Sequence, residues 1–112
     1  MKKIAAIIKP FKLEEVKDAL GEMGVDGMTV SEVKGTGHQN GRPDIHNGSE
    51  YVANLLPMIQ IEIVVADQQL RGAMEAIVRS ARTGKFGDGK VFVSTVESAI
   101  RIRTEEKGEL AL

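Results

Sequence analysis

An α+β fold, in which one strand–helix–strand unit is followed by a second, is what this sequence predicts. Two observations carry the prediction. Short β-prone runs recur near 3–8, 28–33, 59–65 and 91–96. Apolar residues at helical spacing fill the gap between the first and second runs, and the gap between the third and fourth. Two such units close most economically as a ferredoxin-like βαββαβ sandwich, with four antiparallel strands and both helices on one face. The 112 residues suit a single domain over 1–112 with one core.

The elements follow in order. Lys3 to Ile8 is a β-prone run that Pro10 ends. Leu13, Val16, Leu20 and Met23 lie on one face of a helix, and Gly24 stands where a C-terminal cap is wanted. Met28 to Val33 alternates as a second strand. Ile59 to Val65 is the clearest strand of the chain. Asp67 is expected to cap the second helix, whose apolar face is Leu70, Met74, Ile77 and Val78. Val91 to Val96 gives the fourth strand, and Ile100-Arg101-Ile102-Arg103 a last alternating piece. The polar tail from Thr104 reads as loosely held. The apolar strands read as buried on both sides, so the sheet face without helices needs a cover. Self-association through that face is one way to supply it.

Composition narrows the function. Charged residues make up 28%, the hydrophobic class 42%, and the net charge is −1. This balance gives no support to nucleic-acid binding or to a membrane-surface role. The chain has no cysteine, which excludes disulfides, thiolate catalysis and cysteine-ligated zinc. No apolar run approaches the ~20 residues of a membrane span. The opening MKKIAAIIKP is basic and then apolar, but its apolar part is too short for a signal peptide. A cytoplasmic protein is expected.

Between the two units, Gly35 to Pro57 carries no sustained periodicity. Loops of more than about 15 structureless residues are uncommon in compact domains and are either functional or disordered. Tyr51, Val52 and Leu55-Leu56 favour function, because a disordered linker need not carry them. His38 and His46 share this loop, but two histidines without a cysteine or paired carboxylate make a poor metal site. No dedicated metal site is expected.

The stretch TGKFGDGKVF, Thr83 to Phe92, has the glycine and lysine spacing of a phosphate-binding P-loop. Val91 stands where a magnesium-binding hydroxyl belongs. A P-loop also follows a strand and opens a helix, whereas here a helix comes before and a strand after. What remains is a backbone nest: Gly84, Gly87 and Gly89 allow successive N–H groups to point inward, and Lys90 adds a charge. From Arg82 to Arg103 there are five cations against two acids. Arg101 and Arg103, two apart on an expected strand, would point the same way and suit a di- or triphosphate. The competing reading is a glycine-rich turn with solvated charges. No catalytic constellation emerges, since Glu50, Glu62 and Asp88 fall on different elements.

These motifs, in this order, resemble the PII signal-transduction proteins of nitrogen regulation over nearly the whole chain. MKKIAAIIKPFKLEEVKDAL, GMTVSEVKGTG, IEIVV, TGKFGDGKVFV and IRIRT all carry the likeness. The resemblance implies a homotrimer with sheets lining its centre and ATP or ADP in the clefts between subunits. It implies that the phosphates lie on the 82–90 loop (Gly87, Asp88, Gly89) and on Gly35, Thr36, Gly37, His38 and Gln39. Lys90, Arg101 and Arg103 would counter their charge, and Ile7, Thr29, Glu62 and Val64 would hold the rest of the nucleotide. Gln39 would ligate magnesium with ATP. The loop over about 37–56 would be the partner-binding arm, and Tyr51 the site uridylylated in many bacterial members.

Three departures from the family pattern matter. Met58 replaces a lysine that pairs with a carboxylate of 2-oxoglutarate, so binding of that ligand is expected to be weak or absent. His38 replaces an arginine that reaches the phosphates. HNGSEY, with His46 and Asn47 in its first two positions, departs from the tyrosine-and-basic start of the modification signature. The expected function is a regulatory protein, not an enzyme, that acts on an ammonium transporter or a nitrogen-metabolism enzyme. The alternatives are a paralogue serving a metal-efflux or bicarbonate transporter without 2-oxoglutarate sensing, a slow ATPase, and a metal-binding trimer using His38 and His46. A transporter partner would recruit the protein to the membrane without insertion.

Overall fold

The computed structural model describes residues 1–36 and 55–112 in full, and the backbone alone at His38–Gln39 and Arg42–Pro43. Four long strands form one antiparallel sheet: β1 (Lys2–Ile8), β2 (Thr29–Gly35), β5 (Leu56–Val65) and β6 (Lys90–Thr95). Two short strands, β3 (His38–Gln39) and β4 (Arg42–Pro43), form a separate ladder within the long loop. The large sheet runs β2-β5-β1-β6, so the central strands are the first of each unit. The two helices are α1 (Leu13–Glu22) and α2 (Leu70–Ala81). This is the predicted α+β sandwich.

Alternation decides which sheet face is covered. Ile4, Ala6 and Ile8 of β1 and Ile59, Ile61, Ile63 and Val65 of β5 are buried. Their neighbours Lys3, Ala5, Ile7, Met58, Gln60, Glu62 and Val64 are only half-buried. The strands are therefore covered by helices on one face alone, not on both. Against the covered face α1 places Val16 and Leu20, with Glu14 and Glu15 in its first turn where the helix dipole favours acids. Gly24 ends this helix as expected: its φ is 83°, and its N–H reaches the Gly21 carbonyl at 3.0 Å.

The second helix keeps Leu70, Met74 and Ile77 of its expected face against the core, but adds three alanines and loses Val78. Ala73, Ala76, Ile77 and Ala81 are buried, while Val78 is 49% exposed. Small side chains let α2 approach the core closely, and Val78 falls off that stripe. Nor does Asp67 cap the helix. A 3-10 turn, Asp67–Gln69, leads into it, and Gln69 Oε1 accepts the Ala66 N–H at 3.2 Å. Asp67 instead pairs with the Met1 amine at 2.9 Å.

Strand limits shift by one to three residues. The largest change is in β5, which begins at Leu56 because β2 pairs with it out to Gly35↔Leu56. The fourth strand begins at Lys90, which pairs with Ile7. The Ile100–Arg103 piece is not a strand. Ile100 forms one isolated bridge to Lys107, and the chain between them turns back. Arg101 N–H donates to the Glu106 carbonyl at 2.9 Å, and Glu105 takes a φ of 62° to allow it. The tail is accordingly held: Gly108 N–H bonds the Ala99 carbonyl at 3.0 Å, and a 3-10 turn closes Gly108–Ala111. No described helix is long and apolar enough to cross a membrane.

Candidate functional site

The uncovered sheet face collects five residues of the predicted site, Ile7, Thr29, Glu62, Val64 and Lys90. Cross-strand register puts Thr29, Glu62, Ala5 and Phe92 on one row, and Ser31, Gln60, Ile7 and Lys90 on the next. Val64 lies beyond the first row, opposite Lys3, and Met58 lies beyond the second, opposite Val33. Thus Ile7, Thr29, Glu62, Val64 and Lys90 share a face because each is an even number of strand positions from the next. The Glu62 carboxylate pairs with Lys3 Nζ at 2.5 Å. Phe92 is 55% exposed on this face.

The Thr83–Gly89 loop arrives at the end of that face from α2. Gly84, Gly87 and Gly89 all have positive φ, at 82°, 88° and 96°. That supports the nest reading, since such backbone angles turn N–H groups inward. Gly89 is also pressed against β1: a Cβ there would lie 1.6 Å from the Ile7 carbonyl oxygen. The loop is thereby fixed beside the Ile7–Lys90 pair.

Asp88 is turned into the loop. Its carboxylate accepts the Thr83 N–H and the Gly84 N–H, each at 2.9 Å, and the Thr83 hydroxyl at 2.5 Å. Lys9 Nζ lies 3.3 Å from the same carboxylate and donates to Thr83 Oγ1 at 3.1 Å. The Thr83 hydroxyl, with the Thr83 and Gly84 N–H groups and Lys9, holds the Asp88 carboxyl well below the usual carboxylate range. A depressed folded value means that Asp88 stabilises the fold fully above about pH 4, the ordinary carboxylate value. That contribution declines as pH drops below it and is gone once pH has fallen through the folded value. The stability gap between wild type and Asp88→Asn, from urea unfolding at a series of pH values, should therefore shrink as pH falls below about 4. A gap that widened with acid would contradict this assignment.

Lys85, Lys90 and Arg103 make no ion pair with any described residue. Arg101 and Arg103 do not project together from a strand, as the alternation suggested. They stand in the turn described above, and the Arg101 guanidinium donates to the Leu112 carbonyl oxygen at 2.9 Å. Gly35 ends β2 and Thr36 follows it. Gly37, His46, Asn47 and Tyr51 lie outside the described residues, as do the side chains of His38 and Gln39. Among the described residues no cluster of metal-ligating side chains occurs. Sequence reasoning missed Lys9 and Thr83. Nothing local ties Lys9 to a loop 74 positions away.

Comparison with known proteins identifies the family. The family model described as Nitrogen regulatory protein P-II matches residues 1–106. A protein named Nitrogen regulatory protein P-II from Cereibacter sphaeroides is 57% identical over 112 residues, all of both chains. One of the same name from Bradyrhizobium diazoefficiens is 56% identical over 108 residues, 96% of each chain. Another, from Pasteurella multocida, is 53% identical over the full length of both. A sheet of this order, a glycine turn seated beside Lys90 and full-length identity above one half point to one assignment: the chain belongs to the P-II family of nitrogen regulatory proteins.

Proposed function

We propose that this protein binds ATP or ADP beside the 83–90 loop and regulates a partner protein through its long loop over about 37–56. The observation that carries this reading is the convergence on one face of Thr29, Glu62, Val64, Ile7 and Lys90 with a loop whose glycines all have positive φ. The half-apolar strip supplies a surface for a base. The loop supplies backbone N–H groups, and Lys90 a charge, for phosphate oxygens. Arg101 and Arg103 complete the charge from the C-terminal turn, and Gln39 would hold magnesium with ATP.

A homotrimer is part of the proposal. The sheet face carrying Ile7, Val64, Phe92 and Ala5 has no helix over it, and a second copy would remove that apolar surface from water. The partner is an ammonium transporter or an enzyme of nitrogen metabolism, reached from the cytoplasm. A protein that regulates a different transporter through nucleotides alone is a second reading, favoured by Met58 on the site's own face. An ATPase would need a free base at the γ-phosphate. The acid nearest the loop, Asp88, has its carboxylate engaged by Thr83, Gly84 and Lys9.

Calorimetry on the purified protein tests the proposal. ATP and ADP should bind at micromolar concentrations. 2-Oxoglutarate added with Mg-ATP should give no heat in that range. Absence of any nucleotide binding would overturn the reading, and micromolar binding of 2-oxoglutarate would overturn the inference from Met58.

A further inference from the structure

We propose that the 83–90 loop is an anion cradle with two seats, the first filled by the chain's own Asp88 carboxylate and locked by Lys9. Only the second seat, at Gly87–Lys90, is then open to an external phosphate. The inference rests on the reading of this loop as a phosphate site and goes beyond it by dividing the donors.

The first seat is built as anion sites are built. Two consecutive backbone N–H groups, Thr83 and Gly84, converge at 2.9 Å on one oxygen of Asp88. The Thr83 hydroxyl and the Lys9 ammonium take the other, at 2.5 and 3.3 Å. Adjacent amides, a hydroxyl and a lysine are the donor set that a phosphate would recruit. Here a side chain five positions downstream occupies it. The second seat is different. The N–H groups of Gly87, Asp88 and Gly89 make no hydrogen bond to a described residue, and Lys90 makes no ion pair with one.

Filling the first seat from within does two things. It prevents a phosphate from sliding toward Thr83, which fixes where the terminal phosphate ends. It also ties the loop to β1, because Lys9 directly follows that strand and bonds both Thr83 and Asp88. Lys9 and Asp88 keep only 18% and 26% of their side-chain surface exposed, so water competes poorly for this pair. Lys9, Thr83 and Asp88 are thus positioning residues: they act on the ligand through the loop backbone.

The experiment pairs nucleotide titration with the amide resonances of Gly84, Gly87 and Gly89, which read the loop with or without ligand. Asp88→Ala should weaken ATP binding about tenfold, the size of one lost charge-assisted hydrogen bond. It should also move the Gly84 resonance, and added formate should restore both by occupying the emptied seat. Lys9→Met should weaken binding similarly and Lys9→Arg much less. The Lys9→Met/Asp88→Ala double variant should be no weaker than either single one, because the two act as a unit. Unchanged ATP affinity and an unmoved Gly84 resonance in Asp88→Ala would overturn the proposal, as would a formate-insensitive loss. If Asp88→Ala does not fold, Thr83→Val removes one donor at smaller cost and must show the same Gly84 shift, with Thr83→Ser reversing it. If the wild-type protein binds no nucleotide, the site reading fails while the Gly84 and formate results still decide the two-seat arrangement.

Discussion

Gly89→Ala is expected to destabilise the protein by about 3 kcal/mol or more, enough to unfold a marginal domain. Two separate effects add at this position. The backbone φ of 96° is one that L side chains avoid. The new Cβ would also sit 1.6 Å from the Ile7 carbonyl oxygen and 2.7 Å from its carbon. Ile7 cannot retreat, because it lies in a central strand paired on both sides, with Gln60 and with Lys90. The loop must therefore lift off, taking Lys90 out of register with Ile7. Gly84→Ala separates the two effects. Gly84 has a φ of 82° but open space around it, so alanine there meets strain alone, about 1 kcal/mol. Urea unfolding of both variants measures the difference. Equal losses would show that close packing on β1 contributes nothing, contrary to the geometry.

Much of this arrangement was legible in the sequence, for physical reasons that also explain the failures. Ile59 to Val65 alternates over enough residues to report a strand, although its apolar content suggested cover on both faces where helices cover only one, and Gly24 and Gly89 occur where the backbone needs a positive φ. The four residues Ile100 to Arg103 are too few for alternation to tell a strand from a turn. There the turn wins, so Arg101 and Arg103 do not share a strand face. The α2 stripe is legible at Leu70, Met74 and Ile77, but its alanines are not, because alanine carries little hydrophobic weight. Ala73, Ala76 and Ala81 are nonetheless the residues whose size lets the helix approach. The resemblance puts Asp88 on the phosphate loop, but spacing cannot say that its carboxylate turns back onto Thr83 and Gly84. The Lys9 contact joins segments far apart in the chain, and only the fold brings them together.

Met58→Lys is expected to give 2-oxoglutarate binding in the presence of Mg-ATP about a hundredfold tighter than in the wild-type protein. Met58 stands opposite Val33 on the uncovered face, and Gln60, two positions along the same strand, shares a row with Ile7 and Lys90. A lysine at 58 would therefore project from the face that carries Lys90, where a second anion beside a triphosphate needs a cation. Charge-assisted hydrogen bonds contribute about 1.5–3 kcal/mol each, which brackets a hundredfold change. Met58 is half-buried, so the substituted side chain can lay its methylenes along the sheet and leave the ammonium in water. The cost to the unliganded fold should stay within about 1 kcal/mol. Met58→Gln, which is polar without charge, is the control: it should gain little. Calorimetry with ATP held saturating isolates the second ligand from the first. If Met58→Lys binds 2-oxoglutarate no better than the wild type while ATP affinity is unchanged, the missing charge at this position is not what sets the ligand preference. If Met58→Gln gains as much as lysine, hydrogen bonding rather than charge is the deciding term. A gain confined to the lysine variant would mean that the sheet face and phosphate loop are already built for two ligands, with one side chain withholding the second.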